Sequence, residues 1–222
     1  MRKVVTAVTV SAALLGAAFI APAAQAAPCD GVGMQQPFLD WNDSANYVLV
    51  DGGDFESAAA GWTLDGGAMT VPGGNPYRTD SMTNSLALPS GSSATSPAIC
   101  VSKGNPTARL FADTLLPSTG KKVTLKVDVL YLRSDGSVRK VKKAGKLKQE
   151  PVWDATRKFS LAQGQFQHGA KPPEGTHGPK PAGTHGPKPA GTKTAQIQLR
   201  FTPLAGTDWL IDDVFVDPRM RL

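Results

Sequence analysis

Carboxylates stand beside strand-forming residues at two distant points of the chain. One segment is Asp51-Gly52-Gly53-Asp54-Phe55-Glu56, followed by Gly61-Trp62-Thr63-Leu64; the other is Trp209-Leu210-Ile211-Asp212-Asp213-Val214-Phe215-Val216. Side chains alternate between the two faces of a strand. Trp209, Ile211, Asp213 and Phe215 are therefore expected on one face and Asp212 on the other. If the apolar face is the core, Asp213 needs a partner, because an unpaired buried charge costs several kcal/mol. A cation, an arginine or backbone N–H groups would each serve.

Other chemistry is scarce. His168, His177 and His185 are the three histidines, and all fall in a segment expected to be mobile. Three imidazoles there would lose much entropy on gathering around a metal. A Ser-His-Asp or Cys-His arrangement would rest on the same backbone. Gly-x-Ser-x-Gly, His-Glu-x-x-His and a phosphate-binding loop are all missing. Two carboxylates suffice for a glycosidase, but sequence spacing does not test that. No enzymatic activity is expected. Flat rings can bind the apolar faces of sugars, and Tyr77, Tyr131 and Trp153 are candidates for such a platform. Trp62, Trp209 and Phe55 read as core. The basic stretch from Arg133 to Lys148 could meet anionic polymers, or it could be a lysine-protected edge hairpin. Aromatic residues are not interleaved with its bases, so nucleic-acid binding is not indicated.

The elements that would position these residues are short strands. Tyr47–Val50, Ser85–Leu88, Ala98–Val101 and Ala108–Ala112 are β-rich runs between Gly, Pro and Ser. Trp62–Leu64 and Ala68–Val71 flank Asp65-Gly66-Gly67 as a hairpin-like pair. Lys122–Arg133 alternates most clearly, with Val123, Leu125, Val127, Val129 and Tyr131 on one face. Ser134–Ser137 turns it into a basic return strand, Val138–Lys143. Around Ile197, Leu199 and Phe201, and again over Asp208–Val216, two more strands close the domain. Nine or ten short strands predict an all-β antiparallel sandwich of jelly-roll type.

Gly-Gly-Asp-Phe-Glu with Gly-Trp, and the closing Ile-Asp-Asp-Val, resemble the galactose-binding-like jelly-roll carbohydrate-binding modules. That resemblance implies a carbohydrate- or cell-envelope-binding role. It also implies a structural Ca²⁺ held by Glu56 and Asp213, with backbone carbonyls near Gly52 adding oxygens. A longer pattern is similar to uncharacterised secreted actinobacterial proteins and implies no activity. Its marks are Gln36–Trp41, Asn46–Val50, Ser92–Pro97 and Phe201–Leu204. The Pro/Lys/His-rich insertion and the basic hairpin depart from the module pattern.

Residues 1–26 read as a signal peptide: Arg2-Lys3, an apolar run, then Ala24-Gln25-Ala26. The remaining 27–222 are expected to form one secreted, monomeric domain, possessing no further run long enough to cross a membrane. Cys29 and Cys100 are the only cysteines, and export favours a disulfide between them. Residues 164–193 contain the exact repeat Gly-Thr-His-Gly-Pro-Lys-Pro-Ala, starting at Gly175 and Gly183. With little to bury, this insertion is expected to be a flexible loop. Charge is divided unevenly. From Pro28 to Cys100 eight acids face Arg78 alone, whereas from Val101 onward 21 bases outnumber ten acids. Such a field can favour a polysaccharide or anionic cell-envelope polymer as partner.

Overall fold

The computed structural model describes residues 33–78, 83–102, 107–115, 124–148, 151–161 and 194–217. The signal segment, Cys29, the three histidines and the insertion at 164–193 lie outside the described residues. A 3₁₀ turn, Leu39–Trp41, precedes thirteen strands: β1 (Val48–Leu49), β2 (Thr63–Asp65), β3 (Met69–Pro72), β4 (Asn84–Leu88), β5 (Ser93–Thr95), β6 (Ile99–Ser102), β7 (Thr107–Thr114), β8 (Leu125–Leu132), β9 (Val138–Leu147), β10 (Asp154–Ala155), β11 (Phe159–Ser160), β12 (Thr194–Pro203) and β13 (Trp209–Val216). Among the described residues, no helix is long and apolar enough to cross a membrane.

The strands form an antiparallel sandwich of jelly-roll type. One sheet follows the order β10-β7-β13-β4-β3, with β1 joining β13 and β11 joining β7. The other runs β2-β5-β12-β8-β9, with β6 joining β12. Between them lies the main core, which includes Phe55, Trp62, Leu86, Val129, Phe201, Trp209 and Ile211. Phe55, Trp62 and Trp209 thus pack inside as their sequence context suggests. The clear alternation before the basic hairpin also holds: Leu125, Val127, Val129 and Tyr131 all join this core.

Two expectations about the strands are corrected. Asp65-Gly66-Gly67 does not close a hairpin. β2 pairs with β5 in one sheet, and β3 pairs with β4 in the other. The turn carries the chain across the sandwich, and Gly66 permits it. Its φ is +64°, and an added Cβ would lie 2.8 Å from the Gly91 carbonyl oxygen, a conformation and an approach that favour glycine.

The second correction concerns β13. Trp209, Ile211, Asp213 and Phe215 do not share a face. The register against β7 shifts between Asp212 and Phe215, and Asp213 adopts φ +48°. A bulge adds one residue and reverses the alternation beyond it. Val214 and Val216 consequently join Trp209 and Ile211 in the main core. Phe215 turns outward into a second cluster with Phe38, Tyr47, Phe111 and Ala155.

Candidate functional site

The outer face of the seven-stranded sheet is an aromatic layer. Residues 35–49 cross it, anchored by the Gln35–Tyr47 bridge and by Leu49 opposite Phe215. Phe38 packs edge-on against Tyr47 and Phe215 and tilts onto Phe111. Tyr77 lies over this layer. Its ring stacks on Phe111 at 5.5 Å and 28°, and meets Trp41 edge-on at 4.9 Å. Its hydroxyl donates to the Trp153 carbonyl at 2.7 Å, while the Trp41 indole N–H donates to Asp154 at 2.6 Å. Tyr77 stays 45% exposed. Phe111 stacks on the ring and Trp41 meets it at right angles, and the residue keeps nearly half of its surface open to solvent. Two of the three expected sugar-platform residues, Tyr77 and Trp153, are thus linked through the Trp153 backbone carbonyl.

Tyr131 does not join them. It is 1% exposed, packs in the main core and donates its hydroxyl to the Leu161 carbonyl at 2.7 Å. Its place on the apolar face of β8 leaves no ring face for a ligand, and the platform expectation for Tyr131 is corrected accordingly.

Beneath Tyr77 lies a buried carboxylate pair. Asp212 and Asp213 are both 0% exposed. Asp212 accepts the Asn75 backbone N–H and side-chain amide, each at 2.9 Å, and the Asp213 backbone N–H at 2.8 Å. The same Asn75 amide donates to Asp213 at 2.7 Å, and the Arg78 Nε stands 3.2 Å from Asp213 Oδ2. Burial pushes the Asp212 carboxyl up to about 8, with the neighbouring Asp213 charge adding to the rise and the Asn75 donors opposing it.

Glu56 has other partners. One oxygen accepts the backbone N–H groups of Thr83 and Asn84, both at 3.0 Å; the other accepts the Asn84 amide at 3.1 Å. It ties the turn after Phe55 to the start of β4. Among the described residues, no group of three or more His, Cys, Asp or Glu side chains could hold a metal ion. An arginine provides positive charge at Asp213, and each oxygen of Glu56 accepts at least one hydrogen bond. The two carboxylates expected to hold Ca²⁺ thus have separate protein partners, Asn75 and Arg78 at Asp213 and Thr83 and Asn84 at Glu56.

Asp43 organises the far end of the aromatic layer. It accepts from Lys158 at 2.6 Å, Tyr47 at 2.8 Å, Arg109 at 3.0 Å and the Ala45 N–H at 3.2 Å. Burial pushes its carboxyl up, but these four donors outweigh it and hold the group below the ordinary aspartate range. The Arg109 guanidinium also lies 4.5 Å over the Phe38 ring. Sequence reading missed Asp43, Arg109, Asn75, Arg78 and Trp41. Asn75-Pro76-Tyr77 does carry a local signal, because asparagine commonly caps the amide two residues on. Here Tyr77 N–H donates to Asn75 Oδ1 at 3.1 Å.

The outer face of the six-stranded sheet is polar. Register places Thr63, Thr95, Arg200, Asp128 and Lys143 side by side across five strands. Asp128 pairs with Lys126 at 2.9 Å and Arg200 at 3.3 Å. Lys146 lies opposite Lys126, so positive charge prevails. Cys100 sits in β6 and is not a free thiol; its expected partner, Cys29, lies outside the described residues.

No protein-family model and no curated protein matches this chain. The similar solved structures include carbohydrate-binding modules of β-sandwich type. One comprises the CBM22-1 and GH10 modules of endo-1,4-β-D-xylanase 10B from Clostridium thermocellum complexed with xylohexaose, at 14% identity and TM-score 0.46, covering 78% of this chain and 28% of that one. Another is the C-terminal family 22 module of the same xylanase, at 13% identity and TM-score 0.41, covering 74% and 90%. The K2 cleaved adhesin domain of Lys-gingipain is similar at 13% identity and TM-score 0.39, covering 77% and 97%. This chain thus spans under a third of the first of these structures. Nothing among these comparisons supports the actinobacterial resemblance.

Proposed function

We propose that this chain is a secreted, non-catalytic module that binds carbohydrate or a cell-envelope polymer through Tyr77, with Trp41 and Trp153 beside it. One observation carries the reading: a tyrosine ring backed by Phe111 on one face and 45% exposed. Such a ring is held rigidly and offers apolar area to the flat side of a sugar. The hydroxyl bond to the Trp153 carbonyl fixes its tilt. Secretion rests on the amino-terminal signal pattern. A Cys29–Cys100 disulfide belongs to the same proposal and would add roughly 4 kcal/mol by closing a loop of about 70 residues.

A glycan array that includes xylohexaose and polygalacturonate tests the reading. Binding that survives high salt and is lost in Tyr77→Ala and weakened in Trp153→Ala is expected. A structural extracellular role has its own support in the basic row of Lys126, Lys143, Lys146 and Arg200. Silence on the array, with binding to envelope preparations that disappears at high salt, favours that charge-based reading. Turnover of a polysaccharide would overturn the non-catalytic assignment.

A further inference from the structure

The segment that carries Tyr77 is not part of either sheet. It leaves β3 at Gly73, which has φ +100°, and reaches Arg78 with no strand partner of its own. A two-glycine exit, Gly73-Gly74, leaves such a backbone free to take many paths. Its position is nevertheless fixed, and the restraints flank Tyr77 on both sides.

Two residues before it, Asn75 is 0% exposed. Its backbone and side-chain N–H groups reach Asp212, the side-chain amide also reaches Asp213, and its Oδ1 accepts the Tyr77 N–H. One residue after it, Arg78 lies 3.2 Å from Asp213, 5.1 Å over the Phe215 ring, and donates to Gln35 at 2.6 Å. Pro76 fixes the φ between the first restraint and the tyrosine. The carboxylates that receive these contacts stand at the β13 bulge, where Asp213 takes φ +48°. A straight strand would put Asp212 and Asp213 on opposite faces. The bulge brings both within reach of one asparagine amide.

We propose that Asn75 and Arg78 are positioning residues for the Tyr77 platform, and that the bulged Asp212–Asp213 pair holds that platform from beneath. The proposal rests on the carbohydrate-binding reading of Tyr77 and adds its support. It also accounts for two carboxylates placed side by side in a buried layer. They serve as a paired acceptor for the loop, with Arg78 as the accompanying positive charge.

The test has a ligand-free arm and a ligand arm, each comparing wild type with Asn75→Ala, Arg78→Ala and Arg78→Lys. In the first, amide hydrogen exchange is followed at Tyr77. Protection in the wild type, lost at least tenfold in Asn75→Ala while the sandwich strands stay protected, is expected; unchanged exchange at Tyr77 overturns the proposal. In the second, binding to whichever of xylohexaose and polygalacturonate the wild type retains is titrated. Asn75→Ala is expected to weaken it at least tenfold, and Arg78→Lys to recover part of what Arg78→Ala loses. Wild-type affinity in Asn75→Ala and Arg78→Ala overturns the proposal. If the wild type binds neither probe, the carbohydrate reading fails and the exchange arm decides the positioning role by itself. Should Asn75→Ala fail to fold, exchange at Tyr77 in Arg78→Ala and Arg78→Lys replaces it, with equal exchange in both and in the wild type as the overturning result.

Discussion

The backbone amide of Val214 donates to the carbonyl of Gly53 at 3.0 Å. Val50 N–H donates in turn to the Val214 carbonyl at 2.9 Å, so the opening turn and the last strand are joined at the bulge. Phe55 and Val214 enter the main core from this junction, while Phe215 enters the outer aromatic layer. One residue of displacement on β13 thereby serves both sides of the sheet. The Asp212–Asp213 pair stands immediately before it, and the candidate ligand surface is built outward from there.

Arg78→Ala should destabilise the domain by about 3 kcal/mol, the scale for leaving a buried charge without its partner. Asp213 is fully buried and the Arg78 side chain is 12% exposed, so solvent replaces little of the lost interaction. A divalent-cation chelator should leave the melting temperature of the wild type unchanged, because Arg78 supplies positive charge at Asp213. Differential scanning calorimetry with and without chelator checks both. A clear fall in melting temperature on chelation would show that a metal takes part in the fold.

Tyr131 and Tyr77 should separate stability from binding. Tyr131→Phe leaves the buried Leu161 carbonyl without its donor and should cost about 1 kcal/mol, with glycan affinity unchanged. Tyr77→Ala should abolish glycan binding with a smaller loss of stability than a buried-ring deletion, which costs about 3–5 kcal/mol. Chemical denaturation beside a binding titration distinguishes the two. Equal loss of binding in both variants would remove the Tyr77 surface from consideration.

Much of the sandwich was legible because its inner faces obey simple alternation. Leu125 to Tyr131 on β8 and Ile197, Leu199 and Phe201 on β12 all point inward as period two requires. That same alternation contradicted the sugar role given to Tyr131, and burial decided between the two. The bulge was not legible. A left-handed backbone at Asp213 is uncommon for a residue with a side chain, and nothing in Ile-Asp-Asp-Val marks where the extra residue falls. Asp65-Gly66-Gly67 misled for a related reason: local turn chemistry is the same whether the next strand pairs back or crosses to the other sheet. Asn75 and Arg78 were missed because their aspartate partners lie more than 130 residues away.

Gly66→Ala should destabilise the fold by about 1–3 kcal/mol. The added Cβ would stand 2.8 Å from the Gly91 carbonyl oxygen and 2.9 Å from Ser92 Cα, on a backbone at φ +64°. Both neighbours are backbone, so neither can swing aside, and the substitution combines steric overlap with an unfavourable dihedral. Gly67→Ala provides the control. Its φ is +89° with open space around the new atom, so only the dihedral cost applies. Thermal melts that rank Gly66→Ala below Gly67→Ala support the crossing geometry, whereas the reverse order argues against it.

Two aspartates should tilt stability in opposite directions along the pH scale. An unfolded aspartate titrates near 3.9. Asp212 titrates at about 8 in the folded protein, raised first by burial and then by Asp213. Between roughly pH 4 and 8 the folded state holds a proton that the unfolded state has released. The contribution of Asp212 is fully present below the unfolded value and is lost as pH rises through 8. Asp43 behaves the other way. Burial raises its carboxyl, the bonds from Lys158, Tyr47, Ala45 and Arg109 more than reverse this, and its folded value falls below the usual one. Its contribution is present above the unfolded value and is lost as pH falls through the lowered folded value. Unfolding free energies measured by denaturant from pH 3 to 9 should decline between about pH 4 and 8, and Asp212→Asn should flatten that decline. Asp43→Asn should instead flatten the rise below about pH 4 and leave the decline above it in place. A decline above about pH 4 that persists in Asp212→Asn would mean that another group carries the titration, Asp113 on the neighbouring β7 being the next to examine, since burial raises its carboxyl as well.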